Sequence, residues 1–150
     1  LILKNIEDDE IQEEIIELLE YEEDTAGGLM STEVFEITPE LTKINILSII
    51  QNEHSEIESV YDVYVVDQEK KLIGTCPLYK VLVEKENINI GEIMIKDDIK
   101  FLHPETKWRD VASFMSKYNL INVPITDKEN NELLGIVSVD DILPWLLDER

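Results

Sequence analysis

Basic residues are scarce: 13 lysines and arginines face 34 aspartates and glutamates in 150 residues, a formal charge of -21. Such a surface repels phosphate backbones and anionic lipid headgroups, which excludes nucleic acid and acidic membranes as partners and leaves cations as the natural complement. Cysteine is nearly absent. Cys76 stands alone, so no intramolecular disulfide and no thiolate zinc cluster can form within one chain, and a reducing, cytosolic setting fits. No apolar run approaches the ~18 residues that span a bilayer; the longer uncharged stretches, such as Asn119 to Thr126, are strand-sized. Catalytic groupings are missing too. His54 and His103 have no Ser or Cys motif beside them, and no glycine-rich phosphate loop or His-rich metal motif occurs, so no enzyme is expected. Opening on Leu1 without a signal-peptide pattern, the sequence reads as a piece of something longer.

What is present is an ordinary share of apolar residues, 43%, enough for one compact core or two small ones. Ile11, Ile15, Leu18 and Leu19 recur at helical spacing, and Glu7, Asp8, Asp9 and Glu10 fill the first turn where the helix dipole favours negative charge. This predicts an amphipathic helix over Glu7 to Leu19. The first 24 residues carry 11 of the acidic side chains and one lysine, so the charge is concentrated at that end. Gly27 and Gly28 are expected to stop the helix and mark a boundary.

From there the sequence repeats with a period of roughly 60 to 65 residues. Leu29-Met30 answers Ile93-Met94, and Thr38-Pro39-Glu40 answers His103-Pro104-Glu105. Helical patterns follow each proline at the same distance, through Ile46, Leu47, Ile49 and Ile50 in one copy and Val111, Ala112, Phe114 and Met115 in the other. Val60 to Asp67 and Leu120 to Asp127 are β-rich runs closed by an aspartate and a polar turn, so hairpins are expected, with return strands from Leu72 and Leu133. Closing helices are expected over Leu78 to Val83 and Val139 to Leu146. Each copy reads β-α-β-β-α, giving an α/β (α+β) fold. Units this small must pack on each other to bury their sheets, as one pseudo-symmetric pair. The expected divisions are residues 1–27 (helical end and junction), 28–88 (first repeat) and 89–150 (second repeat and the start of a connecting helix).

Val123-Pro124-Ile125-Thr126-Asp127 and Gly135-Ile136-Val137-Ser138-Val139-Asp140-Asp141, set in this duplicate, resemble a pair of CBS domains over about residues 28 to 147. Tyr21 to Met30, YEEDTAGGLM, is similar to the junction before the CBS pair of MgtE-type magnesium transporters, a more specific likeness. The resemblance implies a cytosolic module, on the inner side of the membrane, that senses Mg²⁺ within a homodimer. It further implies helical and transmembrane domains elsewhere in the same chain, with bound Mg²⁺ drawing the domains together to close the pore.

The same resemblance places metal ligands at Asp141, Asp110, Asp140 and Glu149. In nucleotide-binding CBS pairs the position of Asp141 instead meets ribose, with Ser138 beside it, so ATP is the alternative ligand. Each residue also has a plainer role. An aspartate at a helix start caps it, the reading favoured for Asp140, and a charged residue on a helix face is ordinarily solvated. Pro144 stands where relatives carry a further aspartate. The first repeat answers Ser138 and Asp141 with Pro77 and Lys80, so its nucleotide half is degenerate. Cys76, Met30, Met94 and Met115 read as core filler.

Overall fold

The computed structural model describes residues 21–53 and 61–148. The helix expected over Glu7 to Leu19 lies outside the described residues, as do His54 and Glu149. In chain order the elements are α1 (Ala26–Leu29), β1 (Glu36–Ile37), α2 (Lys43–Glu53), β2 (Asp62–Val66), β3 (Leu72–Pro77), α3 (Leu78–Val83), α4 (Ile90–Ile93), α5 (Trp108–Tyr118), β4 (Asn122–Thr126), β5 (Leu133–Ser138) and α6 (Val139–Asp148). Helices α2 and α5 each begin four residues after their proline, Pro39 and Pro104. The hairpins and closing helices occupy the expected positions.

In the first repeat β1 runs parallel to β2, and β2 antiparallel to β3, in the order β1-β2-β3. The second repeat has the antiparallel pair β4-β5, and its leading strand shrinks to one parallel bridge between Leu102 and Ile125. The closing aspartates shape both turns. Asp67 Oδ1 accepts from the backbone N–H groups of Glu69 (2.9 Å) and Lys71 (3.0 Å), and Asp127 Oδ1 from Glu129 (2.8 Å) and Asn130 (3.3 Å), which are Asx-type turns. The turns also join the repeats. Leu72 N donates to Asn131 O (3.1 Å), and Leu133 N to Lys70 O (2.9 Å).

Because β2 is covered on both sides, its alternate residues enter different cores. Val63 and Val65 pack with Phe35, Ile37, Ile46, Cys76 and Val81, whereas Tyr64 and Val66 meet Leu72 and Leu133 between the repeats. Likewise Val123 and Ile125 of β4 join Val111, Met115, Val137 and Ile142. Cys76 is fully buried, and burial pushes its thiol up to about 11. Its reaction with a disulfide reagent at pH 8 is therefore expected to wait for unfolding, and a stopped-flow trace in which native and denatured protein react equally fast would refute this.

The leading segment of each repeat crosses to the other. Residues 21–30 do not belong to the first repeat's core: Ala26 and Met30 are buried among Trp108, Val111 and Ile142, with Tyr21 and Leu29 against them. Ala26 N donates to Thr106 O (2.7 Å), Gly27 N to Pro104 O (2.9 Å), and Ser31 pairs with Ile136. The first repeat receives the matching segment. Ile90 is buried in its core, Ile90 N donates to Leu41 O (2.8 Å), Gly91 N to Pro39 O (2.9 Å), and Ile95 pairs with Thr75. The two repeats are interlocked by exchange.

Gly27 and Gly28 do not terminate a helix, as their sequence predicted; both lie inside α1, which Thr25 caps by accepting from Gly28 N at 3.3 Å. Their role is close approach. A Cβ on Gly27 would stand 2.4 Å from the Tyr21 ring, and one on Gly28 would stand 2.2 Å from the Glu22 carbonyl oxygen.

Candidate functional site

Three of the four expected metal ligands fall within the described residues, on the two packed helices of the second repeat. Asp110 lies in the first turn of α5, and Asp140 and Asp141 in the first turn of α6. The helices meet where Trp108 and Trp145 stack at 5.8 Å between ring centroids. Asp110 and Asp140 are exposed, while Asp141 is half-buried.

Asp141 has a definite partner. Its Oδ2 accepts from the backbone N–H of Ser138 at 2.8 Å and from the Ser138 hydroxyl at 3.1 Å. Ser138 immediately precedes the helix, so the aspartate three residues on reaches back to it as the acidic half of a capping box. The cap favoured for Asp140 falls to Asp141. Pro144, inside α6, has no N–H to give to the Asp140 carbonyl one turn earlier. Among the described residues no group of three or more His, Cys, Asp or Glu side chains comes together as a metal site. Asp110 and Asp140 are open to solvent, whereas Asp141 Oδ2 is engaged by Ser138.

A further acidic grouping lies at the junction. Lys107, just before α5, reaches Glu22 Oε2 at 2.8 Å and Asp24 at 3.3 and 3.4 Å, and these bonds, Glu22 first, hold its ammonium above its ordinary pKa. Sequence reading passed over Lys107, because a lone lysine before a helix carries no motif.

His103 is half-buried, with Nδ1 3.0 Å from Thr126 O and its ring edge-on to Phe101. Lys80, where the second repeat has Asp141, is exposed, and Pro77 provides no hydroxyl. The ribose-binding pattern is therefore absent from the first repeat, and in the second Ser138 and Asp141 are bonded to each other.

Between the two sheets lies a cleft of about 350 Å³, bordered by β2, β3, β4 and the segment following α4. Asp62 and Tyr64 of β2 line it. Neither was singled out from sequence; a carboxylate at the head of a run as apolar as Val60 to Val66 was the available signal.

The CBS-domain profile matches residues 90–148. Among curated proteins, the chain is 38% identical over 136 residues to the magnesium transporter MgtE of Enterococcus faecalis, covering 91% of this chain and 30% of that one. It is 33% identical over 144 residues to the MgtE of Thermus thermophilus, covering 96% and 32%. This chain spans about a third of the length of these relatives. Among solved structures, the soluble part of a magnesium transporter superposes with a TM-score of 0.88 at 36% identity, covering 98% of this chain and 56% of that one. The cytosolic domain of the Mg²⁺ channel MgtE in complex with ATP gives 0.85 at 32% identity, over 91% and 54%. The repeat, the crossed junction and these likenesses agree: the chain belongs to the MgtE magnesium-transporter family and corresponds to the CBS-pair region of its members.

Proposed function

We propose that this chain is the Mg²⁺-responsive regulatory module of a magnesium transporter or channel, working on the cytoplasmic side of the membrane as part of a longer homodimeric protein. The observation that carries this reading, beyond the family, is the arrangement of charge. The chain bears -21, and its candidate carboxylates Asp110 and Asp140 stand exposed in the first turns of α5 and α6, with Asp141 half-buried next to Asp140. Mg²⁺ takes one or two carboxylates per site and keeps several waters, so such single carboxylates on facing surfaces can share an ion. Without cations those surfaces repel; with them the closed arrangement is selected, which is how a ligand shifts a two-state equilibrium.

Isothermal titration and small-angle scattering of the 150-residue chain test this. Millimolar Mg²⁺ is expected to give heat and either compaction or dimer formation, weakened several-fold in Asp110→Asn and in Asp141→Ala. The second variant also loses its cap, at about 1 kcal/mol in magnesium-free urea melts, so Asp110→Asn serves as the cap-independent comparison. No heat and no scattering change with Mg²⁺, together with micromolar ATP binding, would overturn the proposal in favour of a nucleotide-regulated CBS pair. The ATP complex of a relative favours that second reading; the mutual bonding of Ser138 with Asp141 and the Pro77 and Lys80 positions weigh against it.

A further inference from the structure

We propose that Lys107 is a built-in counter-cation that keeps the entering segment docked on the second repeat, so that the crossed junction stays shut without any metal ion. Residues 21–24 carry three carboxylates in four residues and run on into α1, whose Ala26 is buried in the second repeat's core. That repeat already bears Asp110, Asp140 and Asp141 at its helix starts, so the approach of further carboxylates is opposed. One ammonium offsets this repulsion. Its Nζ lies 2.8 Å from Glu22 Oε2 and 3.3 and 3.4 Å from the two carboxylate oxygens of Asp24, so three oxygens of two side chains converge on a single cation. The chain is bent for it: Thr25 N and Thr25 Oγ1 both donate to Glu22 O, at 3.2 and 2.7 Å, closing residues 22–25 into a turn.

Two observations separate this role from that of an ordinary surface ion pair. Lys107 is the N-cap of α5 and makes no side-chain cap bond. The positive end of the helix dipole disfavours a cation there, where Ser, Thr, Asp or Asn would stabilise the helix. Lys107 therefore acts against its own helix and in favour of partners 85 and 83 residues away in sequence. The first repeat, moreover, makes the same crossing without a cation. Thr42 bridges Asn89 as Lys107 bridges Thr25, antiparallel in both cases, and by this register Glu86 and Ile88 hold the places of Glu22 and Asp24. A neutral residue thus stands opposite one acid and one apolar residue, and Ile90 N and Gly91 N still dock as Ala26 N and Gly27 N do. The backbone crossing does not require the lysine; the added cation answers the added acid. The lock does not rest on the magnesium reading, and it leaves Mg²⁺ to act on surfaces other than this junction.

Amide hydrogen exchange of the 150-residue chain, followed by NMR in magnesium-free buffer, tests this. Ala26 and Gly27, whose N–H groups donate to Thr106 O and Pro104 O, report the second repeat's crossing; Ile90 and Gly91, donating to Leu41 O and Pro39 O, report the first's. Lys107→Met keeps the stem and removes the charge. It is expected to speed exchange at Ala26 and Gly27 about fivefold, the scale of a small network of exposed ion pairs, and to leave Ile90 and Gly91 unchanged. Lys107→Arg is expected to match the wild type, and the charge exchange Glu22→Lys with Lys107→Glu to recover most of the loss. Millimolar Mg²⁺ is expected to leave wild-type exchange at Ala26 and Gly27 unaltered. Unchanged exchange in Lys107→Met, equal acceleration at all four amides, or no recovery in the charge exchange would overturn the proposal, as would slowing of the wild-type junction by Mg²⁺. The magnesium reading is judged by heat and scattering, so each can fail without the other.

Discussion

Cut between Glu86 and Asn87, the chain is expected to yield two fragments that are unfolded apart and folded together. The cut falls at a solvent-exposed turn after α3 and breaks no strand. The cut lies between the two repeats, but each repeat's core draws on the leading segment carried by the other fragment. The fragment 87–150 lacks Ala26 and Met30, which are 0% and 6% exposed within its core, and it lacks Ser31, which pairs with Ile136. Burying a methionine is worth about 1.5–3 kcal/mol, a large part of what a unit of ~60 residues can muster. The fragment 1–86 suffers in parallel, losing buried Ile90 and the pairing of Ile95 on Thr75. Amide proton spectra should collapse to the unfolded range for each fragment and regain dispersion on equimolar mixing. A well-dispersed spectrum from either fragment alone would contradict the interlocked arrangement.

The second large effect is expected at Gly135. A methyl group there would lie 2.5 Å from the Ser31 carbonyl oxygen and 3.0 Å from the Met30 sulfur, so the backbone of the crossed-over segment must move. Gly74 occupies the same place in the first repeat, but its added Cβ would meet only the Met94 side chain, 2.4 Å from Sδ and 2.9 Å from Cγ. Methionine has three rotatable bonds and yields; a carbonyl held in a strand pair does not. Gly135→Ala is therefore expected to cost about 3 kcal/mol, the upper end for overpacking, and Gly74→Ala about 1 kcal/mol. Urea denaturation of the two variants checks the order, and equal losses would show that the Ser31 backbone gives as readily as a thioether.

Why the repeat was legible in the sequence and the crossing was not follows from what each leaves in the chain. Matched prolines, turn aspartates and strand glycines are local, and they located both hairpins and four of the helices. Which repeat Leu29-Met30 packs against is a long-range matter, and two equivalent sites offer the same apolar pocket. Gly27 and Gly28 misled for a related reason: a glycine pair marks a helix end by conformation, yet here it serves close approach inside a single turn. Ser138 and Asp141 were visible as a motif, but capping and metal binding use the same carboxylate, and only coordinates reveal its partner. Asp62 and Tyr64 were hidden because β2 is buried on both faces and shows no alternation of polarity to flag them.

The crossed junction also determines how the module transmits a pull. Tyr21 to Met30 and helix α6 share one hydrophobic core, so tension applied between the segment entering the module and the helix leaving it passes through the second repeat alone. The first repeat hangs beside that line, joined through its hairpin turn, the packed strands and the linker that carries α4. The second repeat is a strut, and the first is a side arm that bears none of the pull.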